Sequence, residues 1–122
     1  MLSLKATLKA IGESITTIKS ALDGKATKYT GYGTPVTLTT DWYTIPSDGF
    51  IQDHLEYTYQ GSYQYIAVKN SDGTNEINFR ICNPANSPGQ MDINIPVFSG
   101  QKARIYYQSS TGNKTAKYYP YA

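Results

Sequence analysis

Met1, Leu4, Leu8, Ile11, Ile15, Ile18 and Leu22 recur at alternating spacings of three and four, and beyond Thr27 the apolar period falls to two. The first pattern is the 3.5-residue repeat of a coiled-coil seam, and the second is that of pleated strands. The chain therefore reads as one helix followed by sheet. With Met1, Leu8, Ile15 and Leu22 at a, the d positions are Leu4, Ile11 and Ile18. Isoleucine at d favours three or four strands over two. The flanking residues Thr7, Gly12, Ser14, Lys19 and Ala21 carry no opposite-charge code for a different partner chain. A homotrimer joined through Leu4, Leu8, Ile11, Ile15, Ile18 and Leu22 is the expectation, and an amphipathic helix packed on its own domain is the alternative. Asp23-Gly24 reads as a helix stop, placing the helix end near Leu22 and dividing the chain into an attachment helix, 1–24, and a head, 25–122.

In the head, β-branched and aromatic runs alternate with Gly, Pro, Asn and Asp. Candidate strands are Lys28–Tyr32, Val36–Thr40, Trp42–Ile45, Phe50–Gln60, Tyr63–Lys69, Glu76–Cys82, Met91–Phe98, Lys102–Gln108 and Thr115–Tyr119. So many short strands point to a mainly β fold, an antiparallel sandwich or jelly roll. Ile77, Phe79 and Ile81 share one strand face, as do Met91, Ile93, Ile95 and Val97; both sets are expected in the core. Asn70-Ser71-Asp72-Gly73 and Ser110-Thr111-Gly112-Asn113 read as turns, and 83–89 as a surface loop.

Composition narrows the function classes. The 122 residues hold one cored domain and an appendage. A single cysteine excludes an internal disulfide, and 11 basic against 9 acidic residues is a weak balance for binding a phosphate backbone. Nucleic acid is not an expected partner. No apolar run is long enough to cross a membrane, and Lys5, Lys9, Glu13 and Lys19 break any signal-peptide core.

No nucleophile motif is present, so no catalytic residue, metal or cofactor is expected. His54 alternates onto the side of Gln52 and Glu56 and reads as an exposed strand histidine; Glu56 alone is too few for a metal site. Cys82 has no histidine partner and reads as structural. The acidic residues Asp48, Asp53 and Glu56 form no specific glycosidase pair, and an enzyme would have to draw on Asp53, His54 or Glu56.

The informative excess is in tyrosine, with 12 against 3 Phe and 1 Trp. Adjacent pairs such as Tyr106-Tyr107 and Tyr118-Tyr119 are expected to send rings to both faces of a strand. Exposed rings stack on the C–H faces of sugars while neighbouring amides bond the hydroxyls. Candidate ligand-binding residues are Tyr57, Tyr59, Tyr106 and Tyr107, with Asn83 and Asn86 from the loop.

Two segments, Trp42-Tyr43-Thr44-Ile45-Pro46-Ser47-Asp48-Gly49-Phe50-Ile51 and Ile95-Pro96-Val97-Phe98-Ser99-Gly100-Gln101-Lys102-Ala103-Arg104-Ile105, resemble the trimeric head domains of bacteriophage tail fibres and virion spikes. That resemblance implies a complement-type or tumour-necrosis-factor-type jelly roll over roughly residues 36–121. It also implies a virion protein, made in the host cytoplasm, whose head binds a host-surface glycan or protein and whose helix attaches to other virion proteins. A decoration or head-fibre protein without receptor binding, and a monomeric carbohydrate-binding module, are the alternatives.

Overall fold

The computed structural model describes residues 3–26, 31–58, 61–83 and 87–122, with backbone only for 22–26. Two compact units divide near residue 31: an N-terminal helical unit and a β unit, Tyr32–Tyr121.

The helix α1 spans Leu4–Ala26. Ser3 caps its start, its hydroxyl accepting the amide N–H of Ala6 at 3.2 Å. Asp23-Gly24 does not stop it where expected, because a single interior glycine costs only about 1 kcal/mol against alanine. Leu4, Leu8, Ile11, Ile15 and Ile18 are between 50% and 74% exposed. The side chain of Leu22 lies outside the described residues, as does Met1.

The β unit has eight strands: β1 (Val36–Thr37), β2 (Tyr43–Thr44), β3 (Gly49–Tyr57), β4 (Tyr63–Lys69), β5 (Ile77–Cys82), β6 (Gly89–Val97), β7 (Lys102–Gln108) and β8 (Asn113–Pro120). They form two four-stranded antiparallel sheets, β1-β8-β3-β6 and β2-β7-β4-β5. First pairs with last, second with seventh, third with sixth and fourth with fifth, as in a long hairpin rolled on itself. This pairing is a jelly roll. Of the first expected strand, 28–30 lie outside the described residues, and Tyr32 makes a single bridge to Tyr121.

The core lies between the sheets. Ile51, Ile95, Val97 and Tyr118 from the first sheet meet Ile66, Val68, Ala103 and Ile105 from the second. The Tyr118 hydroxyl, carried inside with its ring, donates to the Ser47 carbonyl at 2.6 Å, so its burial leaves no unmet polar group. Gly49 is required by packing: a Cβ there would lie 2.2 Å from the Tyr119 carbonyl.

The expected core faces of the edge strands are only partly buried. In β5, Ile81 is buried and Phe79 half-buried, but Ile77 is 56% exposed. In β6, Ile95 and Val97 are buried while Met91 and Ile93 are half-buried. An edge strand has a neighbour on one side only, so its end overhangs the opposite sheet.

One inward residue is acidic. Asp53 stands between Ile93 and Ala116 in the ladder and reaches Gln64 of the other sheet, whose Nε2 donates to its Oδ1 at 2.5 Å. Gln64 Nε2 also donates to the Thr115 carbonyl, and Gln108 Nε2 donates to Gln64 Oε1 at 3.1 Å. Both Asp53 and Gln64 are fully buried. Burial outweighs the bond from Gln64 and pushes the Asp53 carboxyl up to about 6.

Candidate functional site

The outer face of the second sheet brings a group of tyrosines together with four of the six Lys and Arg residues of the β unit. With Ile66 and Val68 committed to the core, Tyr63, Tyr65, Ala67 and Lys69 stand on the opposite side of β4. With Ala103 and Ile105 inside, Lys102 and Arg104 stand outward on β7. Arg80 and Cys82 of β5 pair with Tyr65 and Tyr63, which puts Cys82 on this exposed face rather than under a sheet.

Adjacent tyrosines were expected to split between faces, and Tyr118 and Tyr119 do so. Tyr106 and Tyr107 do not, and both are more than half exposed. The ladder pairs Tyr65 with Tyr107 but Ile66 with Ile105, leaving Tyr106 as an extra residue. Such a bulge resets the alternation and returns Tyr107 to the outer face. The rings of Tyr63, Tyr65 and Tyr107 then form a contiguous platform, with centroids 5.3, 5.4 and 6.0 Å apart.

Beside that platform the cations lie over rings. The Arg80 guanidinium is 5.3 Å from the Tyr65 centroid, and the Arg104 guanidinium is 4.4 Å from that of Trp42 and 5.7 Å from that of Tyr106. Lys69 Nζ sits 3.8 Å from the Trp42 centroid. The ring quadrupole holds these charges in place without neutralising them. The four strands of this sheet contain no Asp or Glu, and among the described residues none of Lys69, Arg80, Lys102 or Arg104 is ion-paired. Arg104 Nε is buried without a hydrogen-bond partner.

Tyr57 lies elsewhere, at the end of β3. It lines an open hollow of about 600 Å3 with Glu56, Gln90, Ser110 and Asn113. Asn83 is buried, and its Oδ1 accepts the backbone N–H groups of Gly61 and Ser62, both at 3.0 Å. It braces the loops at this end of the roll. Tyr59 and Asn86 lie outside the described residues.

A third aromatic group covers the outer face of the first sheet. Phe50 stacks on Tyr119 at 5.2 Å and meets Tyr32 edge-on at 5.4 Å, with Tyr121 6.2 Å away. Tyr32 is 67% exposed. Sequence reasoning missed this patch, because its members are far apart in the chain and are joined only by the β3–β8 ladder and the Tyr32–Tyr121 bridge.

His54 bonds Asp92 at 2.5 Å and Glu56 at 3.2 Å. Asp92 stands directly across the ladder, a partner that spacing along the chain does not reveal. The bond to Asp92 raises the His54 pKa above its ordinary value, and the bond from His54 lowers that of Glu56. Asp53 faces inward and Glu56 outward, so these two carboxylates do not converge. Among the described residues no group of three or more metal-ligating side chains has the geometry to hold an ion.

Comparison with protein-family models, with curated proteins and with solved structures returned no match. The functional reading therefore rests on the side chains themselves.

Proposed function

We propose that this chain is a noncatalytic fibre or spike protein, in which three copies join through the N-terminal helix and each jelly-roll head binds a host-surface glycan or protein. The observation that carries this reading is the row Leu4, Leu8, Ile11, Ile15 and Ile18, large apolar side chains at least half exposed on one helix. A stripe of that kind is unfavourable in water, and its 3.5-residue period suits identical helices wound together. A short seam is marginal alone. The Tyr32, Phe50, Tyr119 and Tyr121 patch supplies a second contact between copies, and it begins at the residue where the β unit begins.

Three weak sites on one stem bind with avidity. The virion setting, and attachment of the helix to other virion proteins, come from the resemblance of the two head segments to fibre heads. The exposed tyrosines Tyr106 and Tyr107 are the ligand-facing residues of this reading.

Binding of the full chain to a printed panel of bacterial surface glycans and to immobilised cell-envelope protein tests it. A bound class that loses about tenfold or more in affinity, about 1.4 kcal/mol, in the double variant Tyr106→Ala/Tyr107→Ala supports the reading. Undiminished binding by that variant removes the sheet face as the site. No bound class at all favours a decoration protein without a receptor.

A further inference from the structure

We infer that the outer face of the β2-β7-β4-β5 sheet is a binding site for an acidic polysaccharide, a chain of sugar rings bearing carboxylates. This deepens the proposed ligand-binding role of the head and rests on it. The ligand class follows from two properties that occur together here, a tyrosine platform and several cations in strands that hold no acid. The Tyr63, Tyr65 and Tyr107 rings lie 5.3 to 6.0 Å apart, a platform broad enough to take more than one sugar ring on its C–H face. Next to it stand Lys69, Arg80, Lys102 and Arg104 with no carboxylate of their own among the described residues.

The ladder fixes how the two properties are arranged. Arg80, Tyr65 and Tyr107 form one row across the sheet, and Ala67 with Arg104 the next. Successive rows on one face are about 7 Å apart. Ala67 is fully buried although it points away from the core, so the larger side chains on either side rise around a low centre. A sugar stacked on the tyrosines thus carries its carboxylate toward a guanidinium already held over Trp42 at 4.4 Å. Such a charge-assisted bond to the outer nitrogens of the guanidinium is stronger than a neutral one.

The acids closest in sequence, Asp41 and Glu76, lie in the loops next to β2 and β5 rather than in the strands. The other sheet contains Asp53, Glu56 and Asp92 alongside Lys114 and Lys117, so only the β2-β7-β4-β5 sheet has cations with no carboxylate in its strands. A single-stranded nucleic acid also combines stacking with anionic charge. The low overall charge of +2 disfavours it, since backbone binding draws on a wide basic field.

Trp42 is the sole tryptophan and sits inside this cluster, so its fluorescence reports occupancy. The full chain is titrated with oligogalacturonate, with the same oligomer fully methyl-esterified, and with oligothymidine, at low and moderate salt. The expected result is a saturating Trp42 change with oligogalacturonate, at least tenfold weaker with the ester, and weakened by salt. Arg104→Gln should cost about tenfold for the acid and little for the ester. Lys102→Gln, which removes a charge that packs on no ring, should weaken acid binding in the same sense and guards against misfolding of the first variant. Equal affinity for acid and ester overturns the inference while leaving a glycan-binding head intact. Tighter binding of oligothymidine than of oligogalacturonate overturns it in favour of nucleic acid, and no response to any probe overturns it outright. All outcomes are read per chain, so none depends on whether the helix trimerises.

Discussion

Asp53 and His54 are neighbours in β3 that point to opposite faces, and both release protons less readily in the fold than in an open chain. For Asp53 the carboxyl is raised by burial from 3.8 to about 6. Its contribution to stability is whole below about pH 3.8 and is lost as pH rises through 6. For His54, raised above 6.5 by Asp92, the contribution is whole below 6.5 and is lost as pH climbs through its folded value. Glu56 and Asp72, both lowered, act in the opposite sense and favour the fold above their ordinary range. The melting temperature should therefore be highest at mildly acidic pH and fall by several degrees toward pH 9. Asp53→Asn should flatten the fall between pH 4 and 7, and His54→Gln the part above 6.5. Thermal melts at fixed ionic strength check this, and an unchanged profile in both variants would contradict the assignment. His54 was legible as a surface residue from alternation alone. The same alternation puts Asp53 inward with Ile51 and Leu55, but its partner Gln64 was not legible, because it comes from the other sheet.

At the scale of elements, the sequence periods located the helix and most strands to within a few residues, since alternation and turn chemistry are local. The deviations have non-local causes. Ile77 is exposed because β5 is an edge strand, and Tyr106 and Tyr107 share a face because a bulge inserts a residue that no period announces. Helix α1 runs past Asp23-Gly24 to Ala26, where a stop was expected. The seam on α1 makes its own prediction. Ile11→Asp with Ile15→Asp places charge in the middle of the apolar stripe, and each large side chain buried there is worth about 1.5–3 kcal/mol. The double variant should lose association in chemical cross-linking while the far-ultraviolet β signal of the head is retained. Cross-linking that matches the parent chain would place association elsewhere, with the Tyr32 and Phe50 patch as the first candidate.

For the whole molecule, the jelly roll explains why the candidate site divides as it does. Rolling one hairpin brings β4, β5 and β7 side by side, and these strands carry the cations Lys69, Arg80, Lys102 and Arg104 and no acids. It places β3 and β6 together in the other sheet, and they carry Asp53, Glu56 and Asp92. The spread of tyrosines marked exposed aromatic surfaces in general, and Tyr107 fell within the ring platform of Tyr63 and Tyr65. Asn83 proved a loop brace, because its amide was needed by the backbone of Gly61 and Ser62. The cationic half of the face was missed: four positive residues spread over three strands look like ordinary surface charge until the sheet order is known.

In the proposed function one chain supplies both a stem that joins three copies and a head that binds. Light scattering on a sizing column tests this most directly. For a chain of 13.5 kDa the account predicts a single species of about 40 kDa, three copies held through the helical seam. A monodisperse species near the mass of one chain, at concentrations well above those used for binding, would contradict it.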